Sequence, residues 1–199
     1  MPWEKQFDVD ETLAKAGEAF WAQGYEATSM HDLLNAMGIQ KGSFYSTYGS
    51  KHEAYLKALE QYAGARNGEL KDLVRDLEPI AALERFFDLI AEDCLGPTGY
   101  RGCMVINCAL ERAYDDPEAQ AVVQRALASN ERLLRELIQA GQQIGEIDTA
   151  VDAAATAKAM MAIVMGMRVY SRSGADPDSV RILADQALRL IGSTRQVVE

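Results

Sequence analysis

Residues 37–55 read MGIQKGSFYSTYGSKHEAY. From Leu33 to His52 there is no Asp or Glu, and Lys41 and Lys51 carry the only full charges. Yet the 199-residue chain has a formal net charge of −10. The stretch is punctuated as two short helices. Thr28 or Ser29 caps the first, which carries Met30, Leu33, Leu34 and Met37. Gly38 makes a tight turn, and the second is predicted from Gln40 to about Tyr48. A supporting helix precedes them, from about Asp10 to Gln23. It sets Leu13, Ala16 and Phe20 on one apolar face and stops at Gly24.

Two short helices across a glycine turn, behind a supporting helix, form a helix-turn-helix pattern. On the second of them Phe44 and Tyr48 are four residues apart and share a face. With Ile39 they can seal the helix onto Met30, Leu33 and Leu34. The opposite face then carries Gly42, Ser43, Tyr45 and Ser46, small or hydrogen-bonding residues with no negative charge to repel phosphate. A recognition helix needs such a face, because it presents its N-terminal residues to base edges in the major groove. Nine residues span roughly 13 Å, enough to enter it. The helix N-terminus favours phosphate, and Gly42 lets backbone approach closely. Lys51, at the start of the next helix, can hold a second phosphate. Residues 1–52 hold four lysines against seven acids, so affinity for DNA must come from local placement and not from a basic domain.

The remaining chain also reads as helix, without the alternating β-branched runs of strands. Ser50 to Glu53 has capping-box form and opens a long fourth helix reaching about Asp76. Pro79 starts a fifth, with Ile80, Leu83, Phe87, Ile90 and Cys94 inward. GPTGYRG, residues 96–102, is expected as a loop. A sixth helix follows from about Cys103, and Asp116-Pro117 opens a seventh ending near Gly145. Thr149 to Asp152 is read as a further capping box for an eighth, to about Ser173. Asp176-Pro177 opens the last, which Gly192 ends. The expectation is an all-α chain of about nine helices. No apolar run has the length of a membrane span, and the N-terminus lacks a signal-peptide pattern, so a cytoplasmic protein with no membrane partner is expected. Three cysteines and two histidines show no disulfide framework and no metal-ligand spacing. No phosphate-loop, dinucleotide or nucleophile-elbow motif occurs, so no cofactor is expected.

The run from Phe20 to Leu59, FWAQGYEATSMHDLLNAMGIQKGSFYSTYGSKHEAYLKAL, resembles the TetR (AcrR) family of bacterial transcription regulators along its whole DNA-binding segment. The resemblance implies a helix-turn-helix DNA-binding domain at 1–49 and a ligand-binding and dimerisation domain at 50–199. It implies DNA contacts from Thr28, Gln40, Lys41, Gly42, Ser43, Tyr45, Ser46, Thr47 and Lys51, and packing roles for Phe44 and Tyr48. Tyr48 stands where the family usually has Phe, so its hydroxyl is expected at the rim or on a phosphate, and it joins the DNA-binding set. Ser46 occupies a position where an aromatic is common. The partners implied are double-stranded operator DNA, an unidentified small-molecule inducer and a second copy of the chain. Subunit contact is placed on the last two helices, and AAATAKAMMAIVMGMRVY suits it, with only Lys158 and Arg168 as charges. VRILADQALRLIG adds Val180, Leu183, Ala187 and Leu190 at helical spacing. Candidate inducer contacts are Tyr62, Phe86, Phe87, Cys103, Met104, Asn107, Met160, Met161 and Met165, any of which also suits plain core.

YRGCMVINCALE, residues 100–111, places Cys103 after a glycine loop, beside Arg101 and at the start of a helix. Both neighbours favour a thiolate. The Gly-Cys followed by Asn107 resembles a branch that includes electrophile- and oxidant-responsive, NemR-like repressors. Cys103 is therefore a sensor candidate, with packing at the helix start as the alternative. Cys108 lies five residues on, about 140° around the helix, and cannot pair with Cys103 within it. The reading is a DNA-binding regulator, most simply a repressor released by an inducer or by cysteine modification. Two other classes compete. A cysteine enzyme would need a base near Cys103, and the only histidines lie in the DNA-binding segment. A helical scaffold that had lost DNA binding would carry acids on the third helix, which has none.

Overall fold

The computed structural model describes residues 7–174 and 176–193, and among these the regular elements are all helical. They are α1 (Val9–Gln23), α2 (Met30–Met37), α3 (Lys41–Tyr48), α4 (Lys51–Val74), α5 (Pro79–Leu95), α6 (Met104–Glu111), α7 (Pro117–Ile144), α8 (Ala153–Arg172) and α9 (Pro177–Arg189), with a 3-10 turn at Gly99–Arg101. The chain forms two compact units. The first is Met1–Ala65 with Cys103–Val123, and the second is Arg66–Gly102 with Gln124–Glu199.

In the first unit each short helix is bounded by identifiable chemistry. The Asp8 carboxylate caps α1, accepting from the Asp10 and Glu11 amides at 2.8 and 3.0 Å. Gly24, with φ of 86°, ends it. Ser29 caps α2 in a reciprocal box with Asp32. The Ser29 hydroxyl accepts from the Asp32 amide at 3.1 Å, and the Asp32 carboxylate accepts from the Ser29 amide at 3.2 Å. Thr28 is fully buried and donates its hydroxyl to the Gly24 carbonyl at 2.6 Å. Ser50 accepts from the Glu53 amide at 3.0 Å and starts α4 as the sequence indicates. Leu13, Ala16 and Phe20 of α1, Leu33 and Met37 of α2, and Phe44 and Tyr48 of α3 are all buried.

The second unit is built on α5, α8 and α9. Its core includes Leu83, Phe86, Phe87 and Ile90 of α5, Leu134 and Ile138 of α7, Met160, Met161, Val164 and Met167 of α8, and Val180, Ala184 and Leu188 of α9. The segment expected as a plain loop is tied down. The Ser171 hydroxyl lies 2.7 Å from the Cys94 carbonyl oxygen and 2.8 Å from that of Gly99, so its single proton is shared between them. A Cβ at Gly99 would fall 1.9 Å from the Cys94 carbonyl oxygen, so only glycine fits this approach. Asp93 receives Arg168 at 2.9 Å and is also paired with Arg66.

The eighth helix begins differently from the expected capping box at Thr149. Residues 149 and 150 form a turn, and α8 starts at Ala153. Asp152 is its cap, with its carboxylate accepting from the Ala154 and Ala155 amides at 2.9 and 3.0 Å. Aspartate next to the first helical residue satisfies two free amides directly, which removes the need for a box. Asp152→Ala is expected to cost about 1 kcal/mol in urea unfolding, and Thr149→Ala less than about 0.5 kcal/mol.

Candidate nucleic-acid interface

α3 owes its orientation to Phe44 and Tyr48. Both rings are buried, with centroids 5.5 Å apart, and burying each contributes roughly 2–3 kcal/mol. The Tyr48 hydroxyl donates to the Val9 carbonyl at 2.9 Å and lies 2.5 Å from the Thr12 hydroxyl, which in turn reaches the Asp8 carbonyl at 2.8 Å. Burial pushes the Tyr48 phenol above its ordinary value, while the Thr12 bond acts the other way. The α3 start is open. Gln40 makes no side-chain cap bond, leaving the first amides of the helix to outside acceptors.

With that face buried, the other is presented. Gln40, Lys41, Gly42, Tyr45 and Ser46 are exposed, Tyr45 to 44%, while Ser43 and Thr47 are half buried. The Ser46 hydroxyl donates to the Ser43 carbonyl at 3.0 Å, so its proton is engaged and its lone pairs face outward. Lys51 is half buried, with its ammonium 4.4 Å from the centre of the Tyr25 ring.

Two predicted contacts are corrected. Thr28, at 0% exposure, spends its hydroxyl on the Gly24 carbonyl and offers nothing to a phosphate. Tyr48, at 1%, turns its hydroxyl inward onto α1 instead of outward to the rim. The physical reason is shared. A polar group in a buried position needs a partner, and the carbonyls of Gly24 and Val9, at the two ends of α1, supply it.

A cluster that sequence reasoning missed surrounds Tyr25. The Glu111 carboxylate, at the end of α6, accepts from the Tyr25 and Glu26 amides at 3.4 and 3.2 Å. Arg112 sits with its guanidinium carbon 4.7 Å from the Tyr25 ring centre, bonded to Glu26 at 2.7 Å and Asp116 at 3.2 Å. His52 meets the same Asp116 oxygen at 2.7 Å. Burial pushes the Asp116 carboxyl up. The Ala119 amide, His52 and Arg112 outweigh it and hold the group below its ordinary range. His52, Asp116 and Glu118 could together hold a metal ion. However, the Arg112 guanidinium already supplies the positive charge at the shared Asp116 oxygen. Apart from Arg112 and Asp116, which are four residues apart, the hydrogen-bonded partners around Tyr25 are separated by 64 to 86 positions, beyond any local pattern.

The inducer candidates divide between the units. Phe86, Phe87, Met160 and Met161 belong to the core of the second, and Met165 is half buried there. Met104 is buried in the first unit, and Cys103 and Asn107 are half buried. Tyr62 lines a cleft of about 290 Å³ with Trp21, Ala14, Gly17, Ala58 and Gln61. Cys103 is the cap residue of α6, without a side-chain cap bond. Cys108 is fully buried, and burial pushes its thiol above its ordinary value, while a bond from the Tyr55 hydroxyl acts the other way.

Comparison with known proteins agrees with this arrangement. Residues 13–56 match the family described as bacterial regulatory proteins, tetR family, and residues 79–187 match the tetracyclin repressor-like C-terminal domain. The chain is 29% identical to the HTH-type transcriptional repressor ComR of Escherichia coli (strain K12), over 94% of this chain and 90% of that protein. The crystal structure of a regulatory protein TetR from Rhodobacter sphaeroides superposes with a TM-score of 0.81 at 26% identity, covering 92% of this chain and 98% of that one. A cysteine mutant of the TetR family regulator CifR, solved with 26-base-pair operator DNA, superposes at 0.80 with 25% identity, covering 94% and 98%.

Tyr48→Phe isolates the corrected contact. It is expected to lower stability by about 0.5–1.5 kcal/mol, one buried hydrogen bond, and to leave DNA affinity within twofold of wild type. A selective loss of affinity without loss of stability would return the hydroxyl to the interface.

Proposed function

This chain belongs to the TetR family of bacterial transcriptional regulators, and on that premise we propose that it is a repressor that reads double-stranded operator DNA through α3. The observation that carries this is the pairing of one buried and one presented face on α3, inside a stretch without acids from Leu33 to His52. Gln40, Lys41, Gly42, Ser43, Tyr45, Ser46 and Thr47 are the groove-facing and backbone contacts in this reading, and Lys51 holds a flanking phosphate. The DNA-reading part is residues 1–49. Thr28 and Tyr48 act at one remove, by fixing the turn and the helix.

The remainder, residues 50–199, binds an inducer and a second copy of the chain. Support for the dimer comes from α8 and α9: on α8 Val169 and Tyr170 (49%) are exposed, on α9 Ile182 (57%), and Leu190 just after α9 is exposed too. Ala155, Ala159 and Ala162 lie exposed along α8 at helical spacing and permit close helix approach. A two-fold dimer sets two α3 helices on half-sites about 34 Å apart. The inducer is an apolar or aromatic small molecule, by the ordinary chemistry of such pockets. It acts by favouring a dimer whose recognition helices no longer match successive grooves. The protein works in the cytoplasm, and no described helix is long and apolar enough to cross a membrane.

Two measurements test this. Lys41→Ala and Lys51→Ala should each weaken operator binding and lower the slope of log affinity against log salt by about one per subunit. If both leave an anisotropy titration unchanged, the docking pose is wrong. Ile182→Glu should shift the chain toward monomer in sedimentation, because it puts a charge into a desolvated contact. An unchanged dimer would move the contact away from α9.

A further inference from the structure

Lys51 is the first residue of α4, and its ammonium lies 4.4 Å from the centre of the Tyr25 ring. A lysine side chain on its own samples many rotamers, and fixing one costs entropy that a phosphate contact has to offset. A ring face at cation–π distance narrows that sampling before DNA arrives.

The ring is itself held on several sides. Tyr55 lies with its centroid at 4.9 Å, Phe20 stacks at 6.1 Å and His52 meets it edge-on at 6.3 Å. Its backbone amide donates to the Glu111 carboxylate at 3.4 Å. Arg112 brings a second cation to the ring, 4.7 Å from its centre, and is anchored by Glu26 and Asp116. Gly24 supplies the positive φ of this turn and leaves the carboxylate room. A Cβ there would lie 3.0 Å from a Glu111 oxygen.

We propose that Tyr25 is a positioning residue for operator binding. Its ring face aims the Lys51 ammonium at the DNA backbone, and the Glu111–Arg112 corner that ends α6 keeps that ring in place. The proposal rests on the reading that Lys51 contacts phosphate. It adds that this contact is set from α6, a helix remote in sequence from the recognition helix.

The test is an anisotropy titration of the full chain on operator DNA over a salt series, with Tyr25→Phe, with p-cyanophenylalanine placed at position 25, and with Lys51→Ala. The cyano group keeps the ring's shape and drains its face of electron density, so a purely packing role for Tyr25 would not register the change. Tyr25→Phe is expected to bind as wild type. The cyano variant is expected to lose roughly two- to fivefold in affinity, with a lower salt slope, and to lose nothing further in a Lys51→Ala background. Arg112→Gln is expected to weaken binding with the same dependence on Lys51. A cyano variant that binds as Tyr25→Phe does, or whose loss adds in full to that of Lys51→Ala, overturns the role of Tyr25. Unchanged affinity in Arg112→Gln removes the α6 corner from the account. If Lys51→Ala itself changes neither affinity nor slope, the underlying phosphate contact fails, and that result is read separately from the other two.

Discussion

Everything presented by α3 depends on the burial of Phe44 and Tyr48 and on the hydrogen bonds that Tyr48 makes to α1. An eight-residue helix has little stability of its own in water, since nucleation is costly and few bonds repay it. Its apolar moment is weak too, for only two of its eight residues are large and buried. Those two rings, four residues apart, fix its rotation. The Tyr48 hydroxyl, bonded to Val9 and lying against Thr12, fixes its position along α1. Once rotation and position are set, Lys41, Gly42, Tyr45 and Ser46 have no other direction to face. Extra capping at the helix start would compete with the proposed DNA contact, because free amides at that end suit a phosphate.

Charge is arranged by the same economy. The chain is acidic overall, yet the surface proposed to lie against phosphate carries Lys41 and Lys51 and no acids. The nearest acids on either side are Asp32 and Glu53, and each is turned to local work. Asp32 closes the α2 capping box, and Glu53 meets Ser50 at the start of α4. Their carboxylates are engaged with helix ends. The Ser29 bonds hold Asp32 below its ordinary range, so it stays ionised and bonded at neutral pH.

How far the sequence reaches can be judged residue by residue. Phe44 and Tyr48 as the buried pair, Gly24 and Gly38 as helix stops, and Pro79 and Asp176-Pro177 as helix starts were all legible, because each is decided by neighbours within four residues. The Tyr48 hydroxyl was not, since its partners Val9 and Thr12 lie in another helix and a phenol at a helix end fits either direction. Ser29 takes the α2 cap, one of the two candidates, while the DNA contact that the family resemblance implies for Thr28 is lost because its buried hydroxyl turns onto the Gly24 carbonyl. The cap of α8 was displaced by three residues, because Thr149 and Asp152 are both good caps and only tertiary placement chooses between them. The return of residues 103–123 to the first unit, and with it the contact of Glu111 and Arg112 on Tyr25, is set by long-range packing that no local pattern encodes.

The central claim is that a locally acid-free surface lets an acidic chain bind operator DNA through a small number of phosphate contacts. Binding of the wild-type chain to the DNA upstream of its own gene, titrated by anisotropy across a series of salt concentrations, tests it most directly. The account predicts specific binding whose log affinity falls linearly with log salt. The slope should match a few phosphates per subunit, roughly 0.9 for each. Affinity that does not change with salt, or no preference for that DNA over unrelated duplex, would contradict it.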